Sequence, residues 1–300
     1  MTDTVVPDTQ HRGIIAALPQ PLRDYAQLAR FDRPIGWWLL FWPCAWGVLL
    51  AGGAGRWALL GWLLLGSIAM RGAGCVYNDV VDAALDRQVA RTALRPVASG
   101  RVSKRAAWLW LGLLCGIGLV VLWQLRWEAQ LVALGSLALV AAYPFMKRVT
   151  GFPQMWLGLV FTWGAPVGWF ALRSDRLEVL AALYAGAVCW CIGYDTIYAL
   201  QDREDDAAVG IGSSALTLGR HVRAGVAGFY GAAVGLWALA FWLLRPDWLA
   251  LLALVPAALQ LSWQVLTLQP DDSANALTRF RANRMLGLLV ALACWVVGNA

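Results

Sequence analysis

Nine stretches of the chain are apolar for long enough, about 17 residues or more, to cross a bilayer as helices. They lie near 35–52, 57–76, 106–124, 129–146, 154–172, 178–200, 224–243, 248–268 and 284–299. Polar residues collect between them and almost nowhere else. An odd number of crossings predicts termini on opposite sides of the membrane. The third and fourth runs are separated only by Gln124–Gln130, so that boundary is the least marked.

The basic residues fall in alternate loops. Nineteen Lys and Arg lie in the N-terminal tail, near the end of the second run or in the even-numbered loops, and five in the odd-numbered loops. Such an asymmetry is the positive-inside pattern of a multi-pass protein, and it places the N-terminus and the even loops on the cytoplasmic side. The expected location is a bacterial inner (plasma) membrane, with residues 1–33 as a cytoplasmic tail and 34–300 as one transmembrane domain. Residues 1–30 are polar and carry Pro7, Pro19 and Pro21, so no cleavable leader is expected.

Composition supports this fold class, an all-α integral membrane protein with nine transmembrane helices in a bundle. Hydrophobic residues make up 60% and charged residues 14%, against roughly a quarter charged in soluble chains. Nineteen Trp suit a protein with many membrane interfaces. The net charge of +6 is scattered rather than striped, which argues against nucleic acid. The six cysteines sit in or beside apolar runs and read as small packing residues.

Acidic residues interrupt the pattern at two places. The first segment runs from Arg71 through Asn78, Asp79, Asp82 and Asp86. If the second helix continues through it, Asn78, Asp82 and Asp86 recur at i, i+4 and i+8 on one face, with Asp79 one position off the row. Like charges at that spacing repel, and near a low-dielectric membrane they repel more. A hard divalent cation would explain the stack, because Mg²⁺ takes a few carboxylate oxygens and leaves positions for phosphate. The second segment places Asp195, Tyr198, Asp202 and Asp206 at helical spacings on one face. Two such acid pairs can clamp one or two ions against a diphosphate. The competing reading, solvated juxtamembrane acids, fits poorly with loops that otherwise favour Lys and Arg.

Cations follow the acids. Arg91 and Arg95 precede Pro96 and a Ser99-Gly100 turn, which suits a basic hairpin over phosphate. Tyr143, Pro144, Lys147 and Arg148 close the fourth run. For these cations, anchoring by the positive-inside rule or a helix C-terminal charge pair is an equally simple role. Asp32, Arg33, Pro34, Ile35 and Gly36 open the first helix, where Pro is a structural choice.

These motifs resemble the UbiA-type membrane prenyltransferases, in the branch acting on 4-hydroxybenzoate in ubiquinone synthesis. The resemblance rests on Asn78-Asp79-x-x-Asp82-x-x-x-Asp86, on Arg91-Thr92-x-x-Arg95-Pro96-x-x-Ser99-Gly100, and on Tyr194-Asp195-Thr196-x-Tyr198-Ala199-x-x-Asp202-x-x-Asp205-Asp206. Asp32–Gly36, Arg71–Asp79, Tyr143–Arg148 and Pro153-Gln154 add to it. It implies a nine-helix fold with a cytoplasm-facing cavity that opens laterally to lipid. It implies Mg²⁺ held by Asn78, Asp82, Asp86, Asp202 and Asp206, and a polyprenyl diphosphate and 4-hydroxybenzoate as substrates. Arg91, Arg95 and Lys147 would face the diphosphate, and Arg71 or Arg148 the benzoate carboxylate. Tyr143 and Tyr198 would line the reacting centre, and Asp195 or Asp202 would accept a proton. The partners implied are membrane lipid and other ubiquinone-pathway enzymes, with no nucleic acid. One departure stands out: where the family has Gly-Ile-Lys-Ser after the second acids, this chain has Gly212 in the Lys position. Within the same class, another aromatic, a haem or a chlorophyllide is an alternative acceptor. A transporter of an anion or a divalent cation is the alternative from another class, although transporters place ionisable groups at mid-bilayer.

Overall fold

Apolar sequence with Gly and Pro at its breaks gives helices throughout, and among the described residues there is no strand. The computed structural model describes residues 14–88, 92–203 and 212–299, apart from the side chains of Ile14, Ala16, Leu85, Lys147, Arg148 and Asp202. Among the described residues, seven helical stretches are long and apolar enough to cross a membrane. The first apolar run is a shorter helix, α2 (Ile35–Leu50), with Pro43 inside it. The run at 154–172 is two short helices, α7 (Pro153–Thr162) and α8 (Gly164–Phe170), separated at Trp163. The nine expected runs therefore correspond to seven long helical stretches, that at 248–268 interrupted after Leu252, one helix of sixteen residues and one broken pair.

Two contact-defined units divide the chain. The first comprises Met1–Trp38 and Leu64–Gln124. Its described elements are α1 (Gln20–Leu28), most of α3 (Trp57–Val81), α4 (Ala83–Asp86) and α5 (Lys104–Leu122). Pro21 stands in the first turn of α1, where no backbone donor is lost. Ser103 caps α5 by accepting from the Ala106 amide at 3.2 Å. Leu28, Ala73, Val76, Val80, Val97, Val102, Ala107 and Leu114 form one buried cluster beneath the first acid segment.

α1 ends in an unusual way. Phe31 N–H donates to Ala26 O at 2.9 Å and Arg30 N–H to Gln27 O at 3.0 Å, the pairing of a Schellman ending. Arg30 occupies the left-handed position, φ 57°, that glycine usually fills. The strain of order 1 kcal/mol is offset by what the side chain reaches, described below.

The second unit comprises Leu39–Leu63 and Leu125–Ala300. It contains α6 (Trp127–Val149), α7, α8, α9 (Leu177–Ala199), α10 (Ser214–Leu218), α11 (Val222–Leu244), α12 (Trp248–Leu252), α13 (Val255–Thr267) and α14 (Ser273–Gly298). α2 and α8 approach backbone to backbone: a Cβ on Gly168 would lie 2.1 Å from Cys44 O, and one on Gly47 2.2 Å from Ala165 O. Small residues allow such close packing where lipid offers no hydrophobic drive between helices. α9 is the centre of this unit, with Trp190 and Tyr194 almost fully buried. Trp46 lies against Trp190 and Trp237 with ring centroids 4.9 and 5.3 Å apart. Two of these indoles have polar partners: Trp46 Nε1 donates to Gly287 O at 2.9 Å and Trp190 Nε1 to Asn283 Oδ1 at 2.7 Å. In a medium without water, a pairing of this kind holds helices together.

Candidate active site in two acid segments

The first segment keeps its helical register through a break. α3 ends at Val81 and α4 begins at Ala83. Asp82 N–H still donates to Asn78 O at 2.8 Å, and Asp86 N–H to Asp82 O at 2.8 Å. Asn78, Asp82 and Asp86 thus stay one turn apart, as their spacing predicts. Asp79, Asp82 and Asp86 are all buried, at 1%, 8% and 6% exposure. Burying carboxylates costs free energy unless partners hold them.

Arginines supply those partners. Arg30 Nη2 donates to both oxygens of Asp79, at 2.9 and 3.0 Å. Arg95 Nη1 lies 3.2 Å from Asp79 Oδ1 and 2.9 Å from Asp86 Oδ2. One guanidinium therefore bridges two acids about two turns apart, and a second, from the turn that ends α1, clamps Asp79. The left-handed backbone at Arg30 aims that side chain at a residue 49 positions downstream. Burial pushes the Asp86 carboxyl above its ordinary value of 3.8, and Arg95 counters the shift.

The segment after the acids folds back over them. Thr92 Oγ1 donates to Asp86 O at 2.9 Å, and Arg87 Nε to Ala98 O at 2.9 Å. Gly100, with φ 81°, turns the chain into α5. Arg95, expected to face phosphate, sits here on carboxylates. Arg91 lies outside the described residues.

Arg71, expected to bind a carboxylate, lies one turn before Cys75 on α3 and donates to its Sγ. Its guanidinium covers Gly36, where a Cβ would come 2.8 Å from Nε. The opening of α2 and the Arg71 side chain are therefore fitted to each other, as the Asp32–Gly36 motif suggested. Asp32 beside them is 5% exposed, with Oδ1 unpaired and Oδ2 3.5 Å from Arg33 Nε.

The second segment is organised differently. α9 carries Asp195 and Tyr198, and after Ala199 the chain tightens into a 3₁₀ turn, Leu200–Asp202. The backbone at Asp202 is therefore 3₁₀ rather than α. The Asp202 side chain and the whole of Asp206 lie outside the described residues. Tyr194 and Tyr198 rest on the Phe280 ring, with centroids 5.9 and 4.6 Å away. Asp195 and Tyr143 are each half-buried. Lys147 and Arg148 fall in the last turn of α6, after Pro144, and their side chains are outside the description.

Whether these residues suit a divalent cation can be tested on the donors. Asn78 Oδ1 is buried and has no hydrogen-bond partner, an oxygen left for a ligand. With Asp82 and Asp86 it makes an all-oxygen row, the donor set of Mg²⁺ rather than of zinc or copper. Among the described residues no three His, Cys, Asp or Glu side chains converge closely enough to hold an ion alone. The row fits Mg²⁺ as part of a site, with further oxygens supplied from elsewhere.

Helices throughout the described residues, several of them long and apolar, with two acid segments at helix ends, place the chain in the class of helical membrane proteins. The chain belongs to the UbiA prenyltransferase family, whose pattern matches residues 40–290. A relative from Drosophila melanogaster, 4-hydroxybenzoate polyprenyltransferase, mitochondrial, is 40% identical over 97% of this chain and 74% of its own length. Against the relative of the same name in Aedes aegypti, the chain spans 62% of that protein's length. Among solved structures, a UbiA homolog from Aeropyrum pernix K1 in its apo form shares 27% identity, with a TM-score of 0.70 over 86% of this chain and 97% of that one. A UbiA homolog from Archaeoglobus fulgidus bound to GPP and Mg²⁺ has the same fold, at 18% identity and TM-score 0.67, over 92% and 100% of the two chains.

These relatives correct one expectation. Curated relatives from insects, a plant and human are mitochondrial enzymes, so assignment to a bacterial inner membrane is overturned. The physical reason is that charge asymmetry reports which loops share a side, not which membrane they flank.

Sequence reasoning missed the role of Arg30, which entered only through the count of basic residues in the tail, and underrated Asp79. The adjacency of Asp79 to the acid row was visible. No local spacing signals its partner on α1.

Proposed function

We propose that the chain transfers a polyprenyl group from a polyprenyl diphosphate to the ring of 4-hydroxybenzoate, ortho to the hydroxyl, with release of diphosphate, as a step of ubiquinone biosynthesis. The observation that carries this reading is the row Asn78, Asp82 and Asp86, with the buried Asn78 Oδ1 unpartnered, both carboxylates buried and Asp86 braced by Arg95. Mg²⁺, when bound, would neutralise the diphosphate and make it a better leaving group. The resemblance assigns the ion to Asn78, Asp82, Asp86, Asp202 and Asp206.

In this mechanism the C–O bond between the prenyl C1 and the diphosphate breaks, and its electron pair leaves with the diphosphate. Arg91, Arg95 and Lys147 offset the charge that remains on that group. The ring carbon ortho to the phenol forms the new C–C bond to C1, and its proton passes to the carboxylate of Asp195 or Asp202. Tyr143 and Tyr198 present aromatic faces to the allylic cation. Arg71 or Arg148 holds the benzoate carboxylate. A water-poor setting among helices protects the cation from hydrolysis. The seven long helices, with α2 and the α7–α8 pair, make nine crossings in this reading. The reaction's two substrates, the surrounding lipid and other ubiquinone-pathway enzymes are the partners.

Membranes carrying the protein, incubated with radiolabelled 4-hydroxybenzoate, a polyprenyl diphosphate and Mg²⁺, should yield labelled lipid. Label appearing only with another aromatic, a haem or a chlorophyllide would replace the acceptor. Anion or cation flux without any labelled lipid would favour a transporter.

A further inference from the structure

Four polar side chains with almost no exposure meet beside the second acid segment: Gln154 (6%), Thr196 (0%), Ser213 (2%) and Ser214 (0%). Thr196, next to Asp195 on α9, donates Oγ1–H to Ile192 O at 2.7 Å. Its Oγ1 lies 2.7 Å from Ser214 Oγ, and with the threonine proton committed, Ser214 is the donor. The Ser214 amide donates to Gln154 Oε1 at 2.9 Å. Ser213 caps α10 by accepting from the Leu216 amide. From the same short helix, Thr217 Oγ1 donates to Gly151 O at 2.9 Å. Every link is neutral, and together they join the end of α9, the start of α10 and the α6–α7 connection.

Gly212 sits where those three strands of chain close. A Cβ there would lie 2.8 Å from Gly151 Cα and 2.8 Å from Thr150 O, both backbone atoms that no side-chain rotation can clear. The converse is not true. A Cβ on Gly151 would meet only Thr217 Oγ1, at 3.7 Å, an ordinary contact. The restriction therefore belongs to one glycine of the pair.

We propose that Gly212 is a positioning residue: the missing side chain lets residues 150–152 seat on the start of α10. The lock so formed sets the distance between the acids at the end of α9 and the cations that end α6. The sequence departure at this position is then more than a lost lysine. The fold has used the space, and a side chain at 212 forces the connection away from α10. This role rests on the prenyl-transfer reading, because the groups it spaces, Asp202 on one side and Lys147 on the other, are those that handle the diphosphate there.

The test compares Gly212→Ala, Gly212→Lys and Gly151→Ala in the full-length protein in membranes. Amide exchange across 212–217 reports the lock, and steady-state kinetics report its use. In G212A the Ser214 amide should exchange faster. The KM for the polyprenyl diphosphate should rise and kcat fall, each on the order of tenfold, the scale expected for a misplacement of about 1 Å or less. The KM for 4-hydroxybenzoate should hold. G212K should be at least as impaired, and G151A should match the unsubstituted chain. A G212K protein that binds polyprenyl diphosphate more tightly would overturn the proposal. So would unchanged Ser214 exchange in G212A, or faster exchange with unchanged kinetics. Should G212A fail to insert, Gln154→Ala removes the Ser214 partner without adding bulk, and the same pattern is expected. Absent transfer by the unsubstituted chain would instead remove the function itself, and the positioning role with it.

Discussion

The two acid segments share a spacing and differ in what holds them. Around Asp79 and Asp86 the partners are guanidinium groups: Arg30 from α1 and Arg95 from the loop after the acids. Around Asp195 the neighbours whose bonds are drawn above are hydroxyls, an amide and aromatic rings, none of them charged. A charged brace stiffens a carboxylate cluster, but it also competes for the lone pairs a metal would use. A neutral lock, by contrast, fixes backbone position beside the acids. The difference assigns the segments separate work: the first is a preformed row, and the second is set in place by packing around Thr196 and Gly212.

That contrast can be broken at several points. The largest effect should come where the two segments are expected to act alike. Chelating divalent cations should abolish prenyl transfer in membranes, and added Mg²⁺ should restore it. Transfer that persists in excess chelator would leave both acid rows without their assigned role.

Next comes the charged brace. Arg30→Ala leaves Asp79 buried with one cation fewer, a change costing about 3 kcal/mol or more when a buried pair is broken. Arg30→Ala combined with Asp79→Asn should cost less than Arg30→Ala alone, because the stranded charge is gone. Unfolding of the purified protein in detergent measures both, and strictly additive losses would dissolve the pair.

The Asp86 carboxyl offers a pH test with a defined sign. Its native pKa lies above the ordinary 3.8 because burial outweighs Arg95. The folded state therefore holds the proton to higher pH than the unfolded chain does. The contribution of this group to stability falls as pH rises from the ordinary carboxylate value through the raised one. Removing the Arg95 charge in Arg95→Met should raise that window further. Unfolding midpoints followed from pH 4 upward would show it as a steeper loss, and parallel profiles would contradict the coupling.

The smallest effect belongs to the neutral lock. Thr196→Val keeps shape and removes one hydroxyl, so a loss of about 1 kcal/mol is expected. It should also bring faster exchange of the Ser214 hydroxyl's neighbours across 212–217. A loss as large as that for Arg30→Ala would erase the distinction between the two regions.

Much of this was legible in the chain, for identifiable reasons. Periodicity revealed the spans because lipid demands long apolar helices, and it revealed the Asn78–Asp82–Asp86 row because helical register survives the break at Asp82. The 154–172 run misled because length and apolarity say nothing of the interruption at Trp163, where two short helices replace one. The tightening of the chain at Leu200–Asp202 was not legible, because the 3.6-residue period assumes a helix that stays α. Arg30 was hidden because its function depends on a left-handed backbone and on a partner 49 residues away. Gly212 was visible as a departure from a motif, but only the approach of Gly151 and Thr150 shows why a side chain is excluded there.

The most direct measurement puts Asp82→Asn and Asp202→Asn side by side with the unsubstituted protein in the same membranes. Labelled 4-hydroxybenzoate, polyprenyl diphosphate and Mg²⁺ are supplied, and insertion is checked separately. The account predicts that each substitution alone lowers transfer on the order of a thousandfold, since each removes a charge that acts on the departing diphosphate through bound Mg²⁺. Near-normal turnover in either variant would contradict it.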